Sequence, residues 1–582
     1  MKKKSKMLLF LLPSLCGLLI FYCIPFILSI YYTLIENMST KKFVGFDNFI
    51  DTLKNPMFQR GLTNTGLFMS IGIPLCIVLA FFLALSFKRM DKGKGIVGLI
   101  LLLPLVIPSG TTVYFWKSIF DINGLLNKLL YTFDIPIINW YNSKGVMLIA
   151  VTIFSWKNIG LITMLFYVGL KRIPREYYEV ANIEGANTFK QFRHVTLIYL
   201  LPTIFIAIIL SITNSFKIFK EIYMLFGNYP NEKIYLLQHY MNNQFFSLNM
   251  QKLTTASYIL FIIIGIIIYL LFSLQKRFSD TFNTIQFENV HNNIKGKTPI
   301  KGGIVIITAF LIVIPLLFIF SNSFMGSSEI INRYTTDITN YNMKDLSRGS
   351  MHFVRMGLLP DEATISQYKE LLFRSPEYLR LFWNSIFIVI PVLIGQCIIS
   401  PLGAYAFEQS KWKYKEVLFF VYILIMLMPL QVLLVPNYLV SKWLGFIDTY
   451  WAIILPGIFN PLGVFIVRLQ LKGFPKECIE AAQNAGANHW QTFRHIVLPN
   501  LKSSIAILGI ITFAEYWNVV DQAIVFIKGQ YNKPLSVHLS HIAQGDLGMF
   551  FAISCFYMIP VLIIFFAGKD YLSNEVNLMK SK

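Results

Sequence analysis

Long apolar runs alternate along this chain with short polar or basic connections. An apolar helix needs about 20 residues to cross the hydrocarbon core of a bilayer. Twelve runs reach that length, at residues 7–35, 63–87, 96–119, 146–170, 196–219 and 254–275, and again at 303–325, 382–407, 414–440, 449–470, 503–527 and 548–568. Pro74, Pro104, Pro108, Pro391 and Pro429 fall inside them. Neighbouring helices in lipid can satisfy the backbone groups that a proline frees, so the pattern still predicts spans. The chain therefore reads as an all-α polytopic membrane protein of about twelve transmembrane helices. The start, Met1 to Lys4 followed by an apolar run, resembles a signal peptide. That run is too long for one and lacks a small-x-small cleavage site, so an uncleaved first span is expected.

Composition agrees. Of 582 residues, 55% are hydrophobic and 14% charged, against about 25% charged in a soluble domain. Disorder, collagen and a disulfide scaffold are excluded. The six cysteines, at 16, 23, 76, 397, 478 and 555, form no CxxC pair; five lie in apolar runs and read as small buried hydrophobes, with no metal site expected. The net charge of +21 does not point to nucleic acid, because the basic residues are scattered between apolar runs. They follow the positive-inside rule instead. With the N-terminus in the cytoplasm, the cytoplasmic pieces hold 28 Lys and Arg in 112 residues, and the outside pieces 18 in 168. Both termini are thus expected in the cytoplasm of a cell-membrane protein.

One pattern changes the picture further. Two basic connections, each after the fourth run of its half, match without a gap at an offset of 301: Pro174/Pro475, Glu176/Glu477, Glu179/Glu480, Ala181/Ala482, Gly185/Gly486, Phe192/Phe493 and His194/His495. Matches in register at this density indicate internal duplication. Six spans per half give both halves one orientation, which is the arrangement of parallel repeats, with room for a solute path between them. The expected units are residues 1–277 and 303–582, joined by a polar cytoplasmic linker over 278–302.

The repeated segment has the marks of a short helix and a turn. Pro174 and Pro475 suit a first helical turn, and the glutamates that follow lie near its positive end. Gly185 and Gly486 can close the helix; Asn187 and Asn488 can cap the next one. Ala181 in one copy, and Ala481, Ala482 and Ala485 in the other, leave room for another protein to approach. A single such loop is as well explained as a capped surface connector. Two copies on equivalent spans look like a pair of docking levers.

Glu179-x-Ala181-x-x-x-Gly185-Ala186 and Glu480-x-Ala482-x-x-x-Gly486-Ala487, each followed by a Phe and a Leu with Pro nearby, resemble the cytoplasmic loop of ABC-importer permeases. Phe46 to Ile50, Asn64, Leu103-Pro104, Trp116, Gly124 to Asn127 and Phe216 to Phe219 are similar to the first permease of a carbohydrate importer; Asn384-Ser385, Pro429, Pro436, Trp517-Asn518 and Pro534 are similar to its partner. The resemblance covers nearly the whole chain and implies a fused pair with the type I importer fold. It implies two cytoplasmic ABC ATPase subunits docking on the loops, with Glu176, Glu179, Ala181, Gly185 and Ala186, and Glu477, Glu480, Ala481, Ala482, Gly486 and Ala487, as the coupling residues. It also implies an extracytoplasmic solute-binding protein and a sugar substrate. The copies depart from the family pattern at Val180, Glu184 and Ala485, and at Ile198 and Ser503, where prolines are common.

No cofactor is expected, and the chain supplies no ATP site of its own. Gly296-Lys297-Thr298 ends like a phosphate loop, but position 291 is His and no strand precedes it. Polar residues at membrane depth are costly and often functional. Trp156, Asn158, Asn214, Lys217, Trp383, Asn384, Trp517 and Asn518 are therefore candidates for the solute path, each also explicable by helix-to-helix hydrogen bonding or an aromatic anchor. The span interiors look nearly free of acids, Glu515 and Asp521 being the clearest cases. That counts against a secondary, ion-coupled transporter, and the eight histidines show no cluster for a membrane-embedded enzyme.

Overall fold

The computed structural model describes residues 2–36, 40–90, 93–143, 145–171, 173–280, 299–334, 353–410, 412–426, 430–472 and 474–568. These are helices and connections, with isolated β-bridges but no strand among the described residues. The first half runs α1 (Lys2–Leu18), α2 (Ile24–Thr33), α3 (Pro56–Lys88), α4 (Lys94–Val106), α5 (Ser109–Phe120), α6 (Val146–Lys171), α7 (Arg175–Ile183), α8 (Leu197–Lys217), α9 (Phe219–Phe226), α10 (Leu237–Phe246) and α11 (Met250–Asp280). The second runs α12 (Pro299–Asn322), α13 (Pro376–Gln409), α14 (Lys415–Met426), α15 (Leu430–Trp443), α16 (Trp451–Ile458), α17 (Pro461–Lys472), α18 (Lys476–Asn484), α19 (Lys502–Trp517), α20 (Asp521–Phe526), α21 (Leu535–Gly545) and α22 (Leu547–Ala567).

Among the described residues nine helices are long and apolar enough to span, or up to eleven if each sharply bent pair counts as one. The expected run at 414–440 corresponds to α14 and α15, which flank residues 427–429, outside the described residues. Helices also reach into the expected linker. α11 continues to Asp280 and α12 begins at Pro299; residues 281–298 lie outside the described residues.

One expected straight span is broken, and another is bent away from the loop just before it begins. The run at 96–119 bends by 94° between α4 and α5. Ile107 precedes Pro108, whose ring drives the preceding residue out of the helical region, and Ile107 is extended, with ψ 132°. In the second half the segment His489–Asn500 meets α19 at 71°. Its counterpart in the first half is one 39-residue stretch, Thr188–Phe226. The break falls at Leu501, two residues after Pro499, which stands where the first half has Ile198.

The halves are interlocked by their first helices. α1 lies along α13 of the second half; Ser14 Oγ and the Tyr422 hydroxyl are 2.9 Å apart, and Tyr22 donates to the Pro456 carbonyl at 2.7 Å. Approach is so close that a Cβ on Gly17 would sit 1.9 Å from Cγ of Phe459. Conversely, α12 of the second half packs on α3, α4 and α5 of the first, and the Trp156 indole N–H donates to the Ile312 carbonyl. Leu9, Ile27, Leu67, Phe82, Ile307 and Ile563 stay exposed on the outside of the bundle, as a lipid-facing surface requires.

Candidate functional site

The duplicated loops have one backbone. α7 and α18 lie 301 residues apart end to end, as do the turns that follow: Thr188–Gln191 with His489–Thr492, and the five-residue π turns Phe192–Thr196 and Phe493–Val497. Each short helix ends in a glycine at positive φ, +75° at Gly185 and +86° at Gly486. The closing hydrogen bonds correspond: Ala186 N to Ala181 O at 2.8 Å and Gly185 N to Asn182 O at 3.0 Å, against Ala487 N to Ala482 O at 3.0 Å and Gly486 N to Gln483 O at 3.1 Å. This is the glycine-closed helix end in which the last carbonyls bond back across the turn. The Asn187 side chain then accepts from Lys190 N, and that of Asn488 from Gln491 N, each at 2.9 Å. Gln491 also reaches back to the Asn488 N–H, a reciprocal cap.

The surfaces are less alike than the backbones. Glu176, Glu179 and Gly185 are exposed, with Ala181 and Ala186 half-buried; Glu477, Glu480, Ala481 and Gly486 are exposed, with Ala482 and Ala487 half-buried. Around them the first loop presents Tyr177, Val180, Ile183 and Phe189, the last two 86% and 67% exposed. The second presents Cys478, Ala481, Asn484 and Trp490 at the same four places, Trp490 being 53% exposed. The first short helix is held to its span by the Tyr178 hydroxyl, 2.8 Å from Thr196 Oγ1. Burial pushes the Tyr178 phenol above its ordinary pKa, with that hydrogen bond pulling the other way. The second copy has Ile479 there, buried.

A second constellation lies where helix breaks from both halves converge. Lys217 ends α8, Lys220 and Glu221 lie on α9, Ser109 opens α5 after the 94° bend, and Glu515 to Asn518 end α19. Lys217 Nζ is 3.4 Å from Glu515 Oε1 across the halves. Lys220 Nζ donates to the Asn518 carbonyl at 3.1 Å, and Ser109 N to Asn518 Oδ1 at 3.3 Å. Within the first half, Lys157 pairs with Glu221 and donates to Ser109 Oγ at 2.9 Å, while Ser109 Oγ donates to Glu221 Oε1 at 2.6 Å. Glu221 is 2% exposed. Beside this cluster, Phe219, Tyr223, Asn242, Phe245 and Asp521 line a cavity with room for about one water molecule, so the halves are closed on each other here.

The candidate path residues divide accordingly. Lys217 and Asn518 are in the cluster. Asn214 donates to Asn158 at 2.7 Å, and Asn158 to the Phe154 carbonyl at 2.9 Å, which ties α8 to α6. Asn384 donates to the Tyr531 and Lys533 carbonyls at 2.8 and 3.1 Å, as Asn64 does to those of Glu232 and Tyr235 at 2.7 and 3.0 Å; each amide clamps the connection into α21 or α10. Trp517 is fully buried, stacked between Phe513 and Tyr557. Trp156 packs edge-on against Trp116, and Trp383 is exposed beside Phe387 on the outer surface. The reading of the interiors as nearly acid-free missed Glu221, whose signal was its place after Lys217 and Lys220 in one stretch. Ser109 carried no signal, because only the bend aims it inward. No group of His, Cys, Asp and Glu fit for a metal occurs among the described residues.

The family model described as "Binding-protein-dependent transport system inner membrane component" matches twice, over residues 72–284 and 399–576, more than half of the chain. The chain is similar to the trehalose/maltose transport system permease protein MalF of Thermococcus litoralis, 29% identical over 38% of this chain and 77% of that protein. It is also similar to the arabinooligosaccharides transport system permease protein AraP of Bacillus subtilis, 31% identical over 39% of this chain and 74% of that one. Among solved structures, a chain of a bacterial ABC transporter involved in the import of the acidic polysaccharide alginate aligns over 48% of this chain and 99% of its own, at 20% identity and a TM-score of 0.39.

Proposed function

The chain belongs to the family of binding-protein-dependent transport system inner membrane components, and we propose that it is by itself the whole membrane-spanning permease of an ABC importer for a sugar or oligosaccharide. Its two fused units, about residues 1–277 and 303–582, do the work that two separate permease chains do elsewhere. Relatives named for trehalose/maltose and arabinooligosaccharides support the sugar assignment. Lys and Arg density supports a cytoplasmic face carrying both loops and both termini.

The observation that carries this reading is the pair of loop helices, alike in backbone and 301 residues apart on one chain. Each offers a rigid, glycine-closed helix with glutamates exposed and alanines at its surface, joined through a π turn to a span that ends in the inter-half cluster. An ATPase subunit seated on each loop would move the two spans α8 and α19, and thereby open and close the space between the halves. Glu176, Glu179, Gly185 and Ala186, with Glu477, Glu480, Gly486 and Ala487, are the residues of contact. A solute-binding protein delivers the sugar on the opposite face.

Native mass spectrometry of the complex purified with its ATPase subunits tests this. One permease chain with two ATPase subunits is the expected species, and solute-stimulated ATP hydrolysis accompanies it. A dominant species with two permease chains and two ATPases would overturn the reading that one chain is the whole permease.

A further inference from the structure

We propose that the solute is uncharged and that the ion pair Lys217–Glu515 enforces this selectivity, a reading that rests on the importer function above. Ionisable side chains at membrane depth face a bundle interior or a water-filled space, because lipid cannot solvate them. Lys217 and Glu515 are 52% and 34% exposed as side chains, and they end two helices that belong to different halves. Solute sites in proteins with repeated halves lie at the repeat interface, where helices are discontinuous. Two discontinuities meet here: the bend before Ser109 and the end of α19 at Trp517.

Charges at this junction are compensated one by one. Lys157 is spent on Glu221 and Ser109 inside the first half, with Glu221 buried. Lys220 is held by the Asn518 carbonyl and faces Asp521 electrostatically. Among the described residues Lys217 is held only by Glu515, at 3.4 Å, and both remain accessible. A carboxylate on a passing solute would have to displace Glu515 from Lys217, and a cation the reverse. An uncharged sugar can hydrogen-bond to both groups and leave the pair intact. The pair exists because the halves differ: the counterpart of Lys217, 301 residues on, is Asn518, and that of Glu515 is Asn214. Removing one member therefore leaves its partner uncompensated in the path.

The test uses the full chain in nanodiscs, reading thermal stabilisation by neutral probes (maltotriose, arabinotriose, lactose) and acidic probes (oligogalacturonate, oligoalginate). Wild type is expected to respond to a neutral probe at lower concentration than to any acidic one. Glu515→Gln, nearly isosteric, should improve the acidic response about fivefold, as the net worth of a half-exposed ion pair predicts. The charge swap Lys217→Glu/Glu515→Lys should restore the neutral preference, whereas Lys217→Gln/Glu515→Gln, which has no pair, should lose that preference while still responding to neutral probes, so the two distinguish a lost pair from lost fold. An unchanged neutral-to-acidic ratio in Glu515→Gln, a wild type that prefers acidic probes, or no response by a chain whose assembled complex imports a neutral sugar each overturns the inference and leaves the importer standing. A complex that imports no sugar, while the ratio still shifts as expected, overturns the importer reading instead.

Discussion

The two loop helices have the same backbone and carry different surfaces, and the spans behind them diverge further. In the first half a single 39-residue stretch leads from the loop to the inter-half cluster; in the second the same stretch is broken at 71°. Beneath the loops, position 167 is Tyr, edge-on to Phe87 with Lys171 over its ring. Its counterpart is Arg468, 1% exposed, 3.9 Å from the centre of the Phe419 ring and paired with Glu416 at 2.5 Å. Duplication has thus kept what the backbone needs, the glycine end and the asparagine cap, and released what packs around it. Under the proposed function the shared geometry is the constraint, while side chains on and under it differ with their unlike neighbours.

The largest test of that comparison is to remove one loop at a time. Replacing residues 175–186 or 476–487 with a Gly/Ser linker of equal length should lower solute-stimulated ATP hydrolysis by roughly 100-fold in either case, the upper range for a coupling free energy. Membrane insertion should be unchanged. Hydrolysis and uptake that survive both replacements would show that the loops do not couple.

Next comes the unlike support. Arg468→Ala should destabilise the protein by about 2 kcal/mol in thermal unfolding in detergent, less than a fully buried pair loses, since Glu416 is 59% exposed. Tyr167→Phe should change it by well under that amount, because only a hydroxyl is lost. Equal losses would erase the asserted difference between the halves.

The shared geometry is then tested with glycine. A Cβ on Gly185 or Gly486 would meet nothing within 4 Å, so Gly185→Ala and Gly486→Ala differ from wild type only in the strain of positive φ, about 1 kcal/mol. Hydrogen exchange at Ala186 and Ala487 should accelerate about fivefold, to the same extent in both copies. A one-sided effect would mean that the two helix ends are not equivalent.

The smallest effect is at the caps. Asn187→Ala and Asn488→Ala should each cost the following turn about 1 kcal/mol. The second should lose slightly more, since Gln491 also loses its return partner there. Exchange rates at Lys190 and Gln491 report it.

By itself the sequence determined the membrane class, the run of spans, the duplication and the form of the loops. Each of these depends on local properties: a run of apolar residues must find lipid or protein whatever its neighbours, and a glycine followed by Asn-x-x-Lys or Asn-x-x-Gln closes one helix and opens the next. Tertiary structure alone decided what the polar residues at membrane depth do. Asn384 and Lys217 are both polar groups in or beside apolar runs on the sequence. One clamps the connection before α21, and the other faces Glu515 across the halves. The outcome depends on which helix end lies opposite, and that follows from bends at Pro108 and Leu501 and from first helices that cross to the other half. Such long-range partners are set by packing, so hydropathy and spacing along one chain cannot specify them.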